Sequence, residues 1–271
     1  MTRRVKLMTG LSTLAAASAL ALTGCGGEGE AGEGADNDAD LSAVAAGEGE
    51  SGASEGEGEG EGAAATDPAS SDVAYMHVLG LVRGHLIAFT ELYRGGVTDM
   101  AMTHVKHPKS ELYASLLPAF EARGLDGFAE ELSALAAAAE AGGDVEGPYR
   151  EVVAAITANT PKASVAKQLL AVSEIVRTAA DEFDIGVEDD GTVVNAHEYQ
   201  DAYGFLIASR EILSGIDTQD VNESDAIALA HEQIELALAP YNSLTDASTE
   251  GKASALYGAA ARIEIAAHGL Q

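Results

Sequence analysis

The spacing of large apolar residues between positions 75 and 93 constrains this chain more than any other feature. Tyr75, Leu79, Val82, Leu86, Phe89 and Tyr93 recur at alternating steps of four and three. At 3.6 residues per turn that spacing lines one face of a long helix, and Gly95-Gly96 ends it. The same reading predicts helices over 98–105, 108–123, 125–141, 145–158, 161–183, 196–214, 223–244 and 252–268. Pro108 stands at a first-turn position, a break is expected near Pro240, and 186–194 reads as a turn or small hairpin. No run alternates with the period of a strand. Composition agrees, because the 46% hydrophobic content is largely alanine, without tryptophan and with only 5% aromatic residues. Small apolar faces suit close helix packing, whereas strands favour β-branched and aromatic side chains. The expected fold is all-α, a bundle of about eight helices over 72–271.

An internal similarity adds to this. Gly84-His85-Leu86-Ile87-Ala88-Phe89-Thr90-Glu91 matches Gly204-Phe205-Leu206-Ile207-Ala208-Ser209-Arg210-Glu211 at five of eight positions, an offset of 120 that also pairs Gly95 with Gly215. Downstream, His104, Glu111-Leu112 and Pro118 are echoed, with gaps, by His231, Glu235-Leu236 and Pro240. The pattern admits a duplicated four-helix unit with a pseudo-twofold relation. Gly84 and Gly204 then mark close helix crossings, where the missing Cβ admits a neighbour's backbone.

Before residue 72 the chemistry is different. Residues 26–71 hold Gly-Glu repeats, 13 acidic residues and no Lys, Arg or aromatic residue. Such a segment buries too little apolar surface to offset the entropy of ordering it, and reads as a disordered tether spanning roughly 40 Å or more. Ahead of it, Arg3, Arg4 and Lys6 precede a short apolar run, 7–22, as in a secretory signal over 1–24.

The run ends in Leu22-Thr23-Gly24-Cys25, which resembles the lipobox of bacterial lipoproteins. The resemblance implies that Cys25 becomes the first residue of the mature chain and carries acyl chains that hold it to a membrane. It also accounts for the chain's single cysteine. Gly26 lacks the aspartate that favours inner-membrane retention, so the implied location is the outer membrane, facing periplasm or cell surface.

The formal net charge is -29, and the region from 72 onward carries 31 acidic against 12 basic residues. Nucleic acid is excluded as a partner by repulsion, while a metal ion or a basic envelope protein is favoured.

Four of the seven histidines, His77, His85, His104 and His107, fall within 31 residues. His77 and His85 share an edge of the first helix. His104 and His107 stand at i, i+3, with Glu111 one turn on. Imidazoles with a carboxylate suit divalent Cu, Zn or Fe, and thiolate sites are unavailable. The competing reading is structural: His104 near a helix end, His107 before Pro108, and His77 and His85 as packing residues with hydrogen-bond partners. His231 with Glu235, and Glu264 with His268, read as i, i+4 pairs that stabilise their helices. No nucleophile elbow, Walker loop or dinucleotide fingerprint is present.

The helical region, through Gly84-His85, resembles the imelysin-like periplasmic proteins, all-helical repeated bundles associated with iron uptake. Their G-x-H-x-x-E pattern is broken here by Ala88, with Glu91 only at the sixth place after His85, so no site residue is carried over. The function expected is a non-enzymatic, envelope-anchored binding protein with a divalent transition metal held by His85, His104, His107, His77 and Glu111. The alternative is a helical scaffold lipoprotein with structural histidines.

Overall fold

A computed structural model describes residues 66–110 and 112–271, the side chains of 107–110 excepted. Cys25, the signal and residues 26–65 of the acidic tether lie outside the described residues, as do Glu111 and the side chain of His107. The described region is all-α. Nine helices are present in it: α1 (Asp72–Arg94), α2 (Thr98–Ser110), α3 (Leu112–Arg123), α4 (Ala129–Glu140), α5 (Glu146–Asn159), α6 (Val165–Gly186), α7 (Ala196–Ser214), α8 (Val221–Leu238) and α9 (Ala253–His268).

Several boundaries follow from capping side chains. Ser71 accepts from the Ala74 amide, Ser164 from Lys167, Asn195 from His197, and Asp220 from both Asn222 and Glu223. Each satisfies a donor that the first turn leaves without an intrahelical partner. The cap at Ser164 explains why α6 starts at Val165 rather than at Pro161. Two further expectations are corrected. A helix break at Pro108 does not occur, since α2 continues to Ser110. The helix expected over 223–244 does break near Pro240, ending at Leu238, but it does not resume, and 239–252 is a loop.

That loop lies across the turn before α7. Val193 N donates to Ala247 O (3.0 Å) and Thr249 N to Gly191 O (2.8 Å). Gly191 has φ 91°, and a Cβ there would strike the Thr249 carbonyl, so both conformation and space require glycine. The small hairpin expected over 186–194 reduces to isolated bridges, Val187 with Val193 and Thr192 with Ser248.

Helices α6 to α9 form one four-helix arrangement, in which α6 packs against both α7 and α9, and α8 against α9 and α7. Helix α1 lies on α6 and α7, and α2, α3 and α5 pack around it. Although α1 is long and apolar enough to span a bilayer, its most apolar stretch is 89% buried inside the protein, which accounts for that composition: it is the central helix of a folded core.

Crossing of α1 over α7 is set by the repeated motif. A Cβ on Gly84 would lie 3.0 Å from the Gly204 carbonyl carbon and the Phe205 nitrogen, and one on Gly204 would strike the Gly84 carbonyl. Equivalent positions of the repeat meet: Gly84 with Gly204, Ile87 with Ile207, and His85 edge-on to Phe205 at 5.0 Å. The crossing therefore has a local twofold character. Downstream the correspondence fades, because His104 is fully buried whereas its echo His231 is half-buried on α8.

Candidate metal centre

Backbone contact at the two glycines brings the start of α7 against the middle of α1 and against α2. Asp201, one turn before Gly204 on α7, is 1% exposed. A buried carboxylate is costly unless charge and hydrogen bonds compensate it. Two imidazoles do so on one oxygen. Asp201 Oδ1 lies 2.7 Å from His85 Nδ1 and 2.8 Å from His104 Nδ1. Both histidines are fully buried.

The other nitrogen of His104 is fixed by a chain of partners. His104 Nε2 lies 2.8 Å from Gln200 Oε1, while Gln200 Nε2 donates to the Leu244 carbonyl at 3.0 Å. Only the amide nitrogen of Gln200 can donate to a carbonyl, so its oxygen faces His104 and accepts from Nε2–H. The loop at 244 thereby sets the orientation of a histidine on α2. Leu244 also lines a cleft of about 380 Å³ with Glu91, Leu92, Tyr203, Tyr241 and Thr245, so solvent-accessible space ends one hydrogen bond from Gln200.

A second set of groups meets the other oxygen. His197 Nδ1 lies 3.2 Å from Asp201 Oδ2 and 3.8 Å from Glu198 Oε2. The His197 ring stacks on His104, with centroids 4.4 Å apart and planes inclined by 5°. His197 retains 15% of its side-chain exposure, making it the group of this set that reaches solvent. Glu198 is 4% exposed and neighbours Glu182, which is fully buried on α6.

The electrostatics follow from these contacts. Burial pushes Asp201 up, but His85 and His104 outweigh it and hold the carboxyl well below the usual carboxylate range. Burial pushes His197 down, yet the nearby Glu198 carboxylate and the charge of Asp201 raise it overall. Glu198 is likewise pushed up by burial and ends lowered by His197 and Glu182. Two neighbouring buried carboxyl groups such as Glu182 and Glu198 require a proton or a cation between them.

Each of two groups, His85/His104/Asp201 and His197/Glu198/Asp201, offers three ligand atoms within 4.8 Å of one another. The donors are imidazole nitrogen and carboxylate oxygen, which suit iron, zinc and copper. His104 has the further property of a metal ligand: while one nitrogen faces Asp201 and His85, the other donates to an amide oxygen that fixes the ring. The residues therefore fit a divalent transition metal.

Of the residues singled out in the sequence, the structure brings His85 and His104 together. His77 stands two turns away on α1, with Nε2 3.0 Å from Thr178 Oγ1 on α6, outside both groups. Asp201, His197, Glu198 and Glu182 were missed. The offset of 120 carried the signal: extended two turns upstream of Gly204, it places His197 opposite His77 and Asp201 opposite Leu81.

Residues 158–266 match the family model of the iron permease-associated 4-helix bundle domain. The match runs from the end of α5 to the last turn of α9 and covers less than half of the chain. It takes in Glu182, His197, Glu198 and Asp201, whereas His85 and His104 precede it. The description is of a permease-associated module and not of an enzyme, in keeping with a non-enzymatic protein. No curated protein and no solved structure matches the chain.

Proposed function

We propose that this protein is a non-enzymatic, lipid-anchored iron-binding component of the cell envelope that works beside an iron permease and holds its cargo ion at His85, His104 and Asp201. The observation that carries the reading is the pair of buried imidazoles on a single buried carboxylate oxygen, one ring oriented from behind by Gln200. Iron is favoured over copper or zinc by the iron permease-associated character of the matched bundle. Binding would exchange protons on the two Nδ1 atoms for the ion. The anchor at Cys25 and the acidic tether would let the domain stand off an outer-membrane surface while the excess of carboxylates favours cations.

Full-length protein, stripped with chelator and titrated anaerobically with Fe(II), should bind stoichiometrically, and His85→Ala and His104→Ala should each weaken binding at least about 100-fold. Absence of binding at micromolar iron would falsify the reading. Anchoring has its own test: Cys25→Ser should move the protein from the membrane fraction to the soluble one, and an unchanged distribution would remove the lipid anchor.

A second reading, a scaffold lipoprotein that offers an acidic surface to a basic envelope protein, is favoured by one observation. Both nitrogens of His104 already have hydrogen-bond partners without any metal. On that reading the histidine substitutions lower stability and leave capture of the basic partner unchanged.

A further inference from the structure

We infer that Asp201 bridges two metal ions: the first held by His85 and His104 on its Oδ1 side, the second by His197 and Glu198 on its Oδ2 side. This rests on the proposed iron site and extends it from one ion to two. A carboxylate presents its two oxygens in different directions, and here each is met by a different ligand group. Oδ1 faces His85 and His104 at 2.7 and 2.8 Å, while Oδ2 faces His197 at 3.2 Å. Oδ2 is buried and accepts no hydrogen bond of good geometry from any described residue. Both groups contain Asp201 and each is compact enough for one ion.

Charge points the same way. Glu182 on α6 and Glu198 on α7 are both buried and neighbours, so with Asp201 three buried carboxyl groups stand near the imidazoles of His85, His104 and His197. Protons reconcile these charges in the metal-free protein. Two divalent ions would do the same, with the imidazoles neutral and all three carboxylates ionised. Paired ions about 3.5–4 Å apart on shared carboxylates are an established arrangement in helical bundles and two-metal sites. His197, being the partly exposed ligand, makes the second position the one that exchanges with solvent. No redox step is invoked, since the ions enter and leave as they are.

The experiment is metal stoichiometry on full-length protein, stripped with chelator and reloaded anaerobically with Fe(II), or with Co(II) as a spectroscopic probe. Wild type should hold two ions per chain, and their magnetic resonance should show coupling. His197→Gln and Glu198→Gln, which nearly preserve side-chain volume, should each hold one uncoupled ion, with the remaining affinity within about threefold of wild type's tighter step. Circular dichroism confirms that each variant is folded, and if one is not, the other carries the test. A wild-type stoichiometry of one, unchanged in both variants, overturns the bridged pair and leaves the iron site at His85 standing. Two ions without coupling also overturn it. A stoichiometry of zero overturns both proposals.

Discussion

Helices α1 and α7 carry the same core motif and cross on the same two glycines, yet before the crossing the segment of α1 reads as packing and that of α7 as a site. At the position two turns before the crossing, α1 has His77 and α7 has His197. One turn before it, α1 has Leu81 and α7 has Asp201. Leu81 is buried in the apolar core, and nearby His77 has its Nε2 on the Thr178 hydroxyl, whose own hydrogen is directed to the Glu174 carbonyl. Asp201 instead gathers His85, His104 and His197. A single carboxylate in place of a leucine thus distinguishes the surroundings of His77 from a cluster able to hold metal. Histidine density along a sequence marks where imidazoles are; the opposing helix decides what they can do.

The largest effect is expected at Asp201. Asp201→Leu makes α7 resemble α1 at that position, and iron affinity should fall by at least about 1,000-fold, because both ligand groups lose their shared member. Isothermal titration of the stripped protein measures it, and retained stoichiometric binding would place the metal elsewhere.

A smaller effect is expected at the crossing itself. Gly204→Ala would press a methyl group onto the Gly84 carbonyl, so chemical denaturation should show a loss of about 3 kcal/mol. Iron affinity should drop in parallel, since the approach of α1 to α7 places His85 on Asp201.

His77→Ala sharpens the contrast from the other side. It removes a buried hydrogen bond and some packing, so stability should fall by about 2 kcal/mol while iron binding stays unchanged. A loss of binding in this variant would draw His77 into the site.

The smallest effect lies at the start of α1. Asp72 is held below its ordinary value of 3.8 by the Lys167 hydrogen bond, against a modest opposing effect of burial, with Arg123 assisting. A carboxyl whose folded pKa is depressed contributes stability above its unfolded value, and that contribution disappears as pH falls through the folded one. The pair is 51% and 37% exposed, so screening reduces its worth to about 0.5 kcal/mol or less. Asp72→Asn should therefore lower the melting temperature slightly at pH 7 and leave it equal to wild type near pH 2.

Much of this architecture was legible in the sequence because helical periodicity and glycine stops are local signals. The repeat at offset 120 even located the Gly84–Gly204 crossing. The end of α8 was marked by Pro240, but the course of 239–252 was not legible, since the loop is fixed by backbone hydrogen bonds to Gly191 and Val193 some fifty residues away. The same holds for the site. His85 and His104 stood out by density, but Asp201 is one acid among 44 acidic residues. Only the tertiary crossing shows that it is buried, and burial is what raises it above a solvated charge. Pro108 misled for a related reason: its local preference for a helix start is overridden where α2 packs on α1.

The most direct measurement is iron X-ray absorption on the reconstituted full-length protein, beside Asp201→Leu. A first shell of nitrogen and oxygen at about 2.0–2.2 Å is expected, with outer-shell scattering from at least two imidazoles that is absent in the variant. A wild-type spectrum without imidazole scattering, or one that the variant reproduces, would contradict the iron site.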